Sequence, residues 1–274
     1  MAASGDIKCS AGIEALRGLI ETEYSFAEKA ASGVRGAFLE YLADDAVILQ
    51  PGPRAGRPYW SARPENVNEG TLSWYPSIAE ISSGADLGFT TGPWTYTAGS
   101  GAAEHGHFVS VWRRDSRCAW HVEFDGGVSH AEALEPEPKW AAPDRIVQAA
   151  PGRSTVAQSI DEFRTVARVD GLKAALRTYS LNSGLRFYMD GQEPMDGPVP
   201  VLQYLSGHTI AGRWQEYTQR GSVDSTLTYS VGEILDEQGV GSHAYIQVWI
   251  YDPRVANWGL RLLLLAELPV RSGK

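Results

Sequence analysis

Apolar side chains near the start of the chain recur at every third or fourth position, which is the spacing of one face of an α-helix. This face consists of Ile13, Leu16, Ile20, Tyr24, Ala27 and Ala31. Gly33 interrupts the pattern, which then resumes and ends at Asp44-Asp45. The pattern therefore predicts two consecutive helices that present an apolar face to the rest of the fold.

After the helices the pattern changes to the two-residue alternation of β-strands. We predict a strand over 46–50, a loop or broken helix over 51–64 and a strand over 71–83. Three further strands follow between Gly84 and Gly126, and both faces of this meander are partly apolar. Such a sheet must be covered, and the N-terminal helices are the predicted cover.

The last of these strands alternates an apolar set with a polar set, namely Trp120, Val122 and Phe124 with His121, Glu123 and Asp125. Strict alternation places each set on one face of the sheet. The sequence leaves open which face points inward. If the apolar set does, the polar set lines the outer face, at an interface between domains.

Residues 129–154 are rich in proline and lack periodicity, which is typical of a linker. We interpret them as joining a first domain, 13–128, to a second domain, 155–270, after a flexible N-terminus, 1–12. Trp140 within the linker is expected to pin it to a domain surface.

The second domain repeats the helix, strand and tryptophan order of the first. Tyr179 follows Tyr41 by 138 residues, and Trp249 follows Trp112 by 137. Few residues are identical between the two copies. We therefore predict a tandem repeat whose second copy has diverged.

The 274 residues are 43% hydrophobic, enough for a sizeable core, and carry a net charge of −9. That charge argues against nucleic-acid binding, which requires a basic surface. No apolar run reaches the ~18 residues of a membrane span, and no signal-peptide core is visible. Cys9 and Cys118 do not make a disulfide framework, so we expect free thiols in a soluble, cytoplasmic protein.

Three stretches of the first domain carry motifs that are moderately specific when taken together. They are ETEYSFAEKAASGVRGAFLEYLADDAVIL, LSWYPSIAEISSGADLGFTTGPW and GHFVSVWRRDSRCAWHVEFDGG. Together they resemble the nuclear transport factor 2-like superfamily, in particular its SnoaL-like and uncharacterised bacterial branches. This chain inserts Ala85 into the glycine-rich turn of the pattern. The second copy matches faintly and has Thr226 and Ser230 where the first has glycines.

The resemblance implies an α+β fold of two tandem cystatin-like, cone-shaped barrels, each with helices packed in a curved mixed sheet. The two copies are expected to pair as an intrachain pseudo-dimer, with a further homodimer left open. Members include ketosteroid isomerase-like enzymes, polyketide cyclases, dehydratases, epoxide hydrolases and binding modules without chemistry. Because the fold does not give the function, the pocket must be argued from its residues.

Active members of this fold use a carboxylate or histidine in an apolar cavity, where desolvation raises a carboxylate's pKa. Asp125 is the first candidate base, because the resemblance places a catalytic aspartate at the end of the last strand. The competing interpretation is a strand-end acid. His107 is a second candidate base, or else a core histidine. Tyr24 resembles the family's helix tyrosine, a hydrogen-bond donor, or else belongs to the core.

The residues expected to bind a ligand are Trp74, Tyr41, Thr90, Tyr96 and Trp120. No cofactor is expected. No metal is expected either, since His105 and His107 lack a convincing third ligand. The second copy has Leu263 where the first has Asp125, so we expect it to be a structural cover.

The sequence favours a binding protein for a small apolar molecule, with its pocket in the first domain. The alternative is a cofactor-free isomerase, cyclase or dehydratase that uses acid–base chemistry in that pocket. Neither hypothesis involves nucleic acid or a membrane. The deciding feature is an acid or histidine buried inside the first cavity beside a hydroxyl donor.

Overall fold

Two mixed β-sheets lie face to face, and each is covered on its other side by helices. This arrangement is seen in a computed structural model, which describes residues 9–64, 70–130, 134–140, 155–180, 184–253 and 256–269. The fold is α+β and consists of two tandem halves that pair with each other within one chain. This confirms the predicted fold class.

The first half contains the predicted pair of helices followed by a sheet. The helices are α1 (Gly12–Ser32), α2 (Val34–Tyr41) and α3 (Gly56–Ser61), and the strands are β1 (Leu42–Leu49), β2 (Pro53–Ala55), β3 (Thr71–Trp74), β4 (Ile78–Ile81), β5 (Leu87–Thr97), β6 (Ala103–Arg114) and β7 (Trp120–His130). The strand order is β2-β1-β7-β6-β5-β3, with β4 also paired to β5. β1 runs parallel to β7, whereas the other pairs are antiparallel.

The second half repeats this order of elements. The helices are α4 (Val156–Val169), α5 (Leu172–Tyr179) and α6 (Pro198–Tyr204), and the strands are β8 (Arg186–Met189), β9 (Met195–Asp196), β10 (Arg213–Gly221), β11 (Leu227–Leu235), β12 (Gly241–Asp252) and β13 (Asn257–Glu267). β8 pairs in parallel with β13, as β1 does with β7. None of the described helices is long and apolar enough to cross a membrane.

An aromatic cluster recurs between the helices and the sheet of each half. In the first half it consists of Phe26, Tyr41, Trp74 and Trp112. In the second half the same places are held by Phe163, Tyr179, Trp214 and Trp249. The phenylalanine lies 4.9–6.0 Å from its partners' ring centroids in the first half and 5.5–6.0 Å in the second. The spacing noted in the sequence therefore reflects a repeated core.

Strand β7 contains a β-bulge, which is one extra residue relative to its partner strand β6. Val111 pairs with Phe124, and the residue after Val111 pairs with Val122, which leaves Glu123 as the extra residue. Glu123 and Phe124 consequently both face away from the helices, towards the second half. Val122 before the bulge and Asp125 after it both face the helices.

The bulge corrects the strict alternation expected from the sequence. The apolar set of β7 is divided between two faces, because Trp120 and Val122 belong to the core beneath the helices and Phe124 to the core between the sheets. The polar set is divided as well, with Glu123 and Asp125 on opposite faces. Both sequence alternatives are therefore partly right for this strand.

The faces of the two sheets that point away from their helices pack against each other and form an apolar core between the halves. The first half contributes Val47, Leu49, Leu87, Phe89, Val109, Val111, Phe124 and Val128, and the second contributes Tyr188, Leu227, Tyr229, Val231, Ala244, Ile246, Val248, Ile250, Leu262, Leu264 and Ala266. Each sheet is thus buried on both faces, which explains why its strands carry apolar residues on both.

Charged residues at the bulges join the two halves. Glu123 is 4% exposed and accepts hydrogen bonds from the Tyr229 hydroxyl at 3.0 Å and from Arg220 at 3.4 Å. β13 has a bulge at the equivalent place, where Arg261 is the extra residue. Arg261 donates to Glu80 of the first half at 2.6 Å. Each sheet therefore sends one charged side chain from its bulge into the other half.

The described part of the predicted linker, residues 134–140, bonds to both halves. Glu137 pairs with Arg186 of the second half, and it accepts hydrogen bonds from Ser77 and His107 of the first. Burial alone would raise the pKa of Glu137, but the His107 hydrogen bond and the Arg186 charge outweigh it and hold the pKa at about 2. The carboxylate is therefore ionised at neutral pH.

Trp140 is attached to the first half, in line with its predicted role. Its backbone N–H donates to the carbonyl of Pro76 at 3.1 Å, and its side chain packs beside the core beneath the helices. The first two predicted linker residues, 129 and 130, belong to β7. Residues 131–133 and 141–154 lie outside the described residues.

The expectation of free thiols is wrong, because Cys9 and Cys118 form a disulfide with their Cα atoms 5.4 Å apart. The bond ties the start of the chain to the turn between β6 and β7. The two cysteines are 109 residues apart in sequence, and only the fold brings them together. Of the predicted flexible N-terminus, residues 1–8 lie outside the described residues, and α1 already begins at Gly12.

Replacing Glu123 by alanine is expected to lower the free energy of unfolding by about 2–3 kcal/mol, measured by urea denaturation. The change leaves two half-buried arginines and the Tyr229 hydroxyl without their shared acceptor. The matched control is Asp45→Ala, because Asp45 bonds to the same Arg220 at 2.9 Å but its side chain is 70% exposed. The control is expected to cost under about 1 kcal/mol. Equal losses in both variants would contradict a buried charge site between the halves.

Replacing both cysteines by serine is expected to lower the free energy of unfolding by about 2–5 kcal/mol, because the crosslink restricts a long loop of the unfolded chain. Denaturation of the oxidised wild type, the reduced wild type and the Cys9→Ser/Cys118→Ser variant checks this. The reduced protein should match the variant. Two thiols titrating in the denatured, unreduced protein would show that the bond is absent.

Candidate functional site

The first half has a half-open cavity of about 300 Å³ on the helix-facing side of its sheet. Its walls come from α2, α3 and the strands β1, β3, β5, β6 and β7. The aromatic side chains that line it are Phe38, Trp60, Trp74, Trp94, Tyr96 and Phe108. Aromatic walls with a few polar groups, at this volume, are typical of a small-molecule site.

Two glycines make room for Trp94 on the sheet. A Cβ atom at Gly106 would lie 2.4 Å from the Trp94 ring, and one at Gly127 would lie 3.2 Å from its indole nitrogen. Both distances are too short for undisturbed packing. Side chains at these positions would therefore push Trp94 off the sheet, so the two glycines help to shape the cavity wall.

Asp125 lines the cavity as the acid that the β7 bulge turns towards the helices. The hydroxyl of Ser110, on the neighbouring strand, donates to it at 2.9 Å. Burial raises the pKa of Asp125 to about 7 although the Ser110 hydrogen bond lowers it, and the nearby charge of Glu23 raises it further. A carboxyl group with this pKa exchanges its proton near neutral pH, as a general acid or base must.

Glu23 is a second buried acid, and the sequence analysis did not select it. It is 0% exposed on α1 and accepts hydrogen bonds from the indoles of Trp74 at 2.6 Å and Trp112 at 3.1 Å, and from the Thr90 hydroxyl at 2.5 Å. Burial raises the pKa of Glu23 to about 7, even though all three hydrogen bonds lower it. The charge of Glu23 also acts to raise the pKa of Asp125, after the larger effect of burial.

The sequence signal for Glu23 is an acid within the apolar face of a helix. The buried residues of α1 are Ala15, Leu16, Leu19, Ile20, Glu23, Phe26, Ala27 and Ala30. The face expected from the sequence contained Tyr24 instead of Glu23, so it was rotated by about one position. An acidic residue on the buried face of a helix is unusual unless it is paired. Glu23 would have been selected by that rule if the buried face of α1 had been predicted one position earlier in the sequence.

Several of the residues predicted from the sequence lie at or beside the cavity. Asp125, Trp74 and Tyr96 line it. Thr90 is fully buried beside it and donates to the second acid. Tyr41 belongs to the aromatic cluster beneath the helices and is absent from the described lining.

His107, the second candidate base, lies on the opposite face of the sheet. It shares that face with Val109 and Val111, as expected, but the face belongs to the core between the halves. Its ring stacks on Tyr188 with centroids 5.2 Å apart, and its Nε2 lies 3.3 Å from Glu137. Burial lowers the pKa of His107, although Glu137 acts to raise it. Both faces of this strand are apolar, so the sequence could not assign the inner one.

Tyr24 and Trp120 pack in the core beneath the helices and are not part of the described cavity lining. Tyr24 is half-buried at the edge of the buried face of α1, and burial raises its pKa. Trp120 lies against α1 near Gly18, and Arg114 lies 5.5 Å from its ring centroid. Neither side chain is placed to donate to a molecule in the cavity.

The second half has apolar residues in place of both acids. Ile160 holds on α4 the place that Glu23 holds on α1, in register with the aromatic cluster. Leu263 holds on β13 the place that Asp125 holds on β7, as the sequence comparison suggested. Both replacements are fully buried. The pair of titratable acids is therefore a feature of the first half.

The described lining of the cavity, drawn from residues 9–64 and 70–130, contains no lysine, arginine or histidine. An open groove adjoins the cavity and shares the residues Trp60, Leu72 and Tyr96 with it. The basic residues of this groove are Lys29, Arg35 and Arg63. In the part of the chain that the structure describes, no group of three or more His, Cys, Asp or Glu is arranged to hold a metal ion.

Proteins of known structure are similar to less than half of this chain. A conserved protein from Planctomyces limnophilus DSM 3776 is 21% identical over 42% of this chain and 96% of its own, with a TM-score of 0.33. An NTF-2 like protein of unknown function from Shewanella oneidensis MR-1 is 11% identical over 40% and 94%, also with a TM-score of 0.33. The Delta 5-3-ketosteroid isomerase from Mycobacterium sp. is 15% identical over 39% and 90%, with a TM-score of 0.30.

One of these proteins is itself described as NTF-2 like. TM-scores this low give no information about the activity of this protein. No family model matches the chain, and no curated protein is similar to it in sequence. The function must therefore be inferred from the cavity.

The free energy of unfolding is expected to fall as pH rises from about 4.5 to about 7, in part because of Glu23. Its pKa is raised from 4.5 to about 7 on folding, so its folded form keeps a proton that the unfolded chain has lost. One such group contributes a slope of at most about 1.4 kcal/mol per pH unit. Urea denaturation at several pH values should therefore show a smaller fall in Glu23→Gln than in the wild type. The control Glu28→Gln, at an exposed position of α1, should keep the wild-type slope. An unchanged slope in Glu23→Gln would contradict the raised pKa.

Proposed function

We propose that the first half binds a small, mainly apolar molecule in the cavity and that Asp125 makes its principal polar contact. The second half serves as a structural partner that covers the outer face of the first sheet. The observation that carries the proposal is a titratable carboxyl group at the wall of a cavity lined mainly by aromatic and aliphatic side chains. A cavity with such a group orients a ligand as well as holding it.

The comparison of the two halves supports a binding role for the acids. Burying a carboxyl group that titrates near neutral pH is costly, and the second half reaches the same fold with Ile160 and Leu263 at these places. The first half has Glu23 and Asp125 at these places instead. Retention of costly buried groups in a cavity is typical of functional sites.

A second candidate is acid–base chemistry by Asp125, as in a cofactor-free isomerase, cyclase or dehydratase. The observation that favours it is the pKa of about 7, which suits proton transfer at neutral pH. Enolate chemistry also needs hydrogen-bond donors for the developing negative charge. The Ser110 hydroxyl and the Trp74 indole already donate to the two carboxylates, whereas the buried indole N–H of Trp60 in the cavity wall has no hydrogen-bond partner among the described residues and could serve as such a donor. Binding comes first in the proposal because it requires only the pocket and its acid.

The disulfide, and not the amino-acid composition, supports our proposal for the cellular compartment of the protein. Bonds such as that between Cys9 and Cys118 persist mainly in oxidising compartments. This favours an extracytoplasmic location over the cytoplasmic one expected from the sequence.

Binding is tested with a panel of small aromatic and alicyclic alcohols, ketones and amines. Trp60, Trp74 and Trp94 line the cavity, so a bound molecule should change the tryptophan fluorescence, and calorimetry then gives the affinity. Leu72→Trp should weaken binding at least about tenfold, because Leu72 is half-buried where the cavity meets the groove. The control Val169→Trp, at a position 68% exposed in the second half, should bind like the wild type. If no compound binds, or if Leu72→Trp binds normally, the proposed pocket is wrong.

Catalysis by Asp125 is tested by following hydrogen–deuterium exchange next to the carbonyl of a ketone that binds. If Asp125 acts as the base, the exchange should rise with pH around a midpoint near 7, because the ionised form accepts the proton. Asp125→Asn should abolish the exchange while the ketone still binds. Exchange that is equal with and without the protein would rule out this chemistry.

A further inference from the structure

The cavity walls are rich in aromatic rings, which attract positive charge. Six of the side chains that line the cavity are aromatic, and three of these are tryptophans, the strongest cation-binding ring among the amino acids. The face of each ring carries partial negative charge. Rings that surround a small space on several sides can therefore hold a cation without a full counter-charge.

The acids add formal negative charge to the same space. Asp125 and Glu104 line the cavity directly, and Glu23 lies behind Trp74. Among the described lining residues there is no basic side chain to balance them. A ligand that carries or develops negative charge would be repelled here, whereas a positive charge would be attracted.

The hydrogen-bond donors beside the two carboxylates already donate to those carboxylates. The Ser110 hydroxyl donates to Asp125, and the indole of Trp74 donates to Glu23. The wall at Asp125 therefore presents carboxylate oxygen to a ligand, and an acceptor of this kind suits a ligand with positive charge.

The basic residues nearby lie in the adjoining groove and are occupied there. Lys29 pairs with Glu40, and the guanidinium of Arg63 lies 4.5 Å from the ring centroid of Tyr59 and 5.3 Å from that of Trp60. Trp60 is also part of the cavity wall. One ring of this wall is thus already in contact with a cation from the protein itself.

We propose that the ligand of the first-half cavity carries an organic ammonium group, held between the aromatic walls and the Asp125 carboxylate. This rests on the proposed binding function and specifies the chemical class of the ligand. The apolar substituents of such a ligand would contact the rings, and its charge would lie next to Asp125. The second half, with Leu263 at the equivalent place, lacks this counter-charge.

Two molecules of the same shape test the proposal. Choline has a trimethylammonium group, and 3,3-dimethylbutan-1-ol has an uncharged tert-butyl group of the same size in its place. Calorimetry and tryptophan fluorescence at pH 8 should show at least about tenfold tighter binding of choline, since cation–π contacts and charge pairing each favour it. Asp125→Asn should reduce this preference to the part that the cation–π contacts supply, and leave the affinity for the neutral alcohol unchanged or improved.

The pH dependence gives a readout that a purely structural role would not produce. Choline does not titrate, so its affinity should rise several-fold from pH 5.5 to 8 as the acids lose their protons, while that of the neutral alcohol should not rise. The titratable and charged groups of the cavity and the adjoining groove, besides Asp125, are Glu23 and Lys29 on α1, Arg35 on α2, Arg63 after α3, Tyr96 on β5 and Glu104 on β6. Glu104→Gln, at an exposed position of the rim, is the control and should lose less of the preference than Asp125→Asn.

Each outcome decides between the two proposals. Tighter choline binding that depends on Asp125 supports the ammonium ligand. Equal or tighter binding of the neutral alcohol, or a choline preference that Asp125→Asn leaves undiminished, overturns the ammonium proposal but leaves the apolar pocket standing. If neither molecule binds and no member of the wider panel does, the pocket itself is not a binding site.

Discussion

The single extra residue in β7 determines both how the two halves join and what lies inside the first one. A strand without a bulge would place Glu123 and Asp125 on the same face. The bulge separates them, so that Glu123 reaches the second half and Asp125 reaches the cavity. The residues immediately before and after the extra one are fixed by cores on opposite sides of the sheet, which explains how the bulge is held in place.

The two sheets then depend on each other. Each has helices on one face and the other sheet on its second face, so neither half would keep its outer face covered alone. Pairing within one chain leaves the halves free to diverge, because one half can lose its polar interior while it still supplies the cover. The second half has done so at Ile160 and Leu263, and the first retains Glu23 and Asp125.

The interior of the first half has the character of a site that favours positive charge. Its rings and acids lie on the same side of the sheet, and the donors next to the acids are already bonded to them. The sequence alone favoured binding and kept acid–base chemistry as the alternative. An isomerase that stabilises an enolate needs free donors in the cavity, and the Trp60 indole N–H is one candidate among the described residues. A binding site for a cationic group needs acceptors and aromatic faces, which the wall at Asp125 supplies.

Much of the fold could be predicted from the sequence, because the helical and strand periodicities are strong and the tryptophans recur at nearly constant spacing. Asp125 was selected through the resemblance as a candidate base; it lines the cavity, and its role stays a prediction. The prediction for His107 depended on choosing between two apolar faces, which periodicity cannot do once a second sheet covers the outer one. Glu23 was overlooked because a helical face shifted by one position still looks amphipathic.

The other differences arise from contacts between residues that are distant along the chain. Cys9 and Cys118 meet because the turn after β6 folds back onto the start of α1. The bulge at Glu123 cannot be detected from a two-residue pattern either, since the inserted residue is polar and the apolar–polar alternation of the sequence continues through it. Local patterns in the sequence therefore predict where the helices and strands lie. The chemistry of the cavity depends on two features that such patterns do not show, namely the bulge in β7 and the acid Glu23 on the buried face of α1.

The most direct test of this account is a nuclear magnetic resonance titration of the side-chain carboxyl carbons, with the Asp125 signal identified by its absence in Asp125→Asn. If Asp125 is turned into an apolar cavity beside a second buried acid, its carboxyl carbon should titrate with a midpoint near 7. A midpoint near the ordinary aspartate value of 3.8 would mean that the group faces water. In that case neither the cavity nor the role of the bulge in forming it would stand.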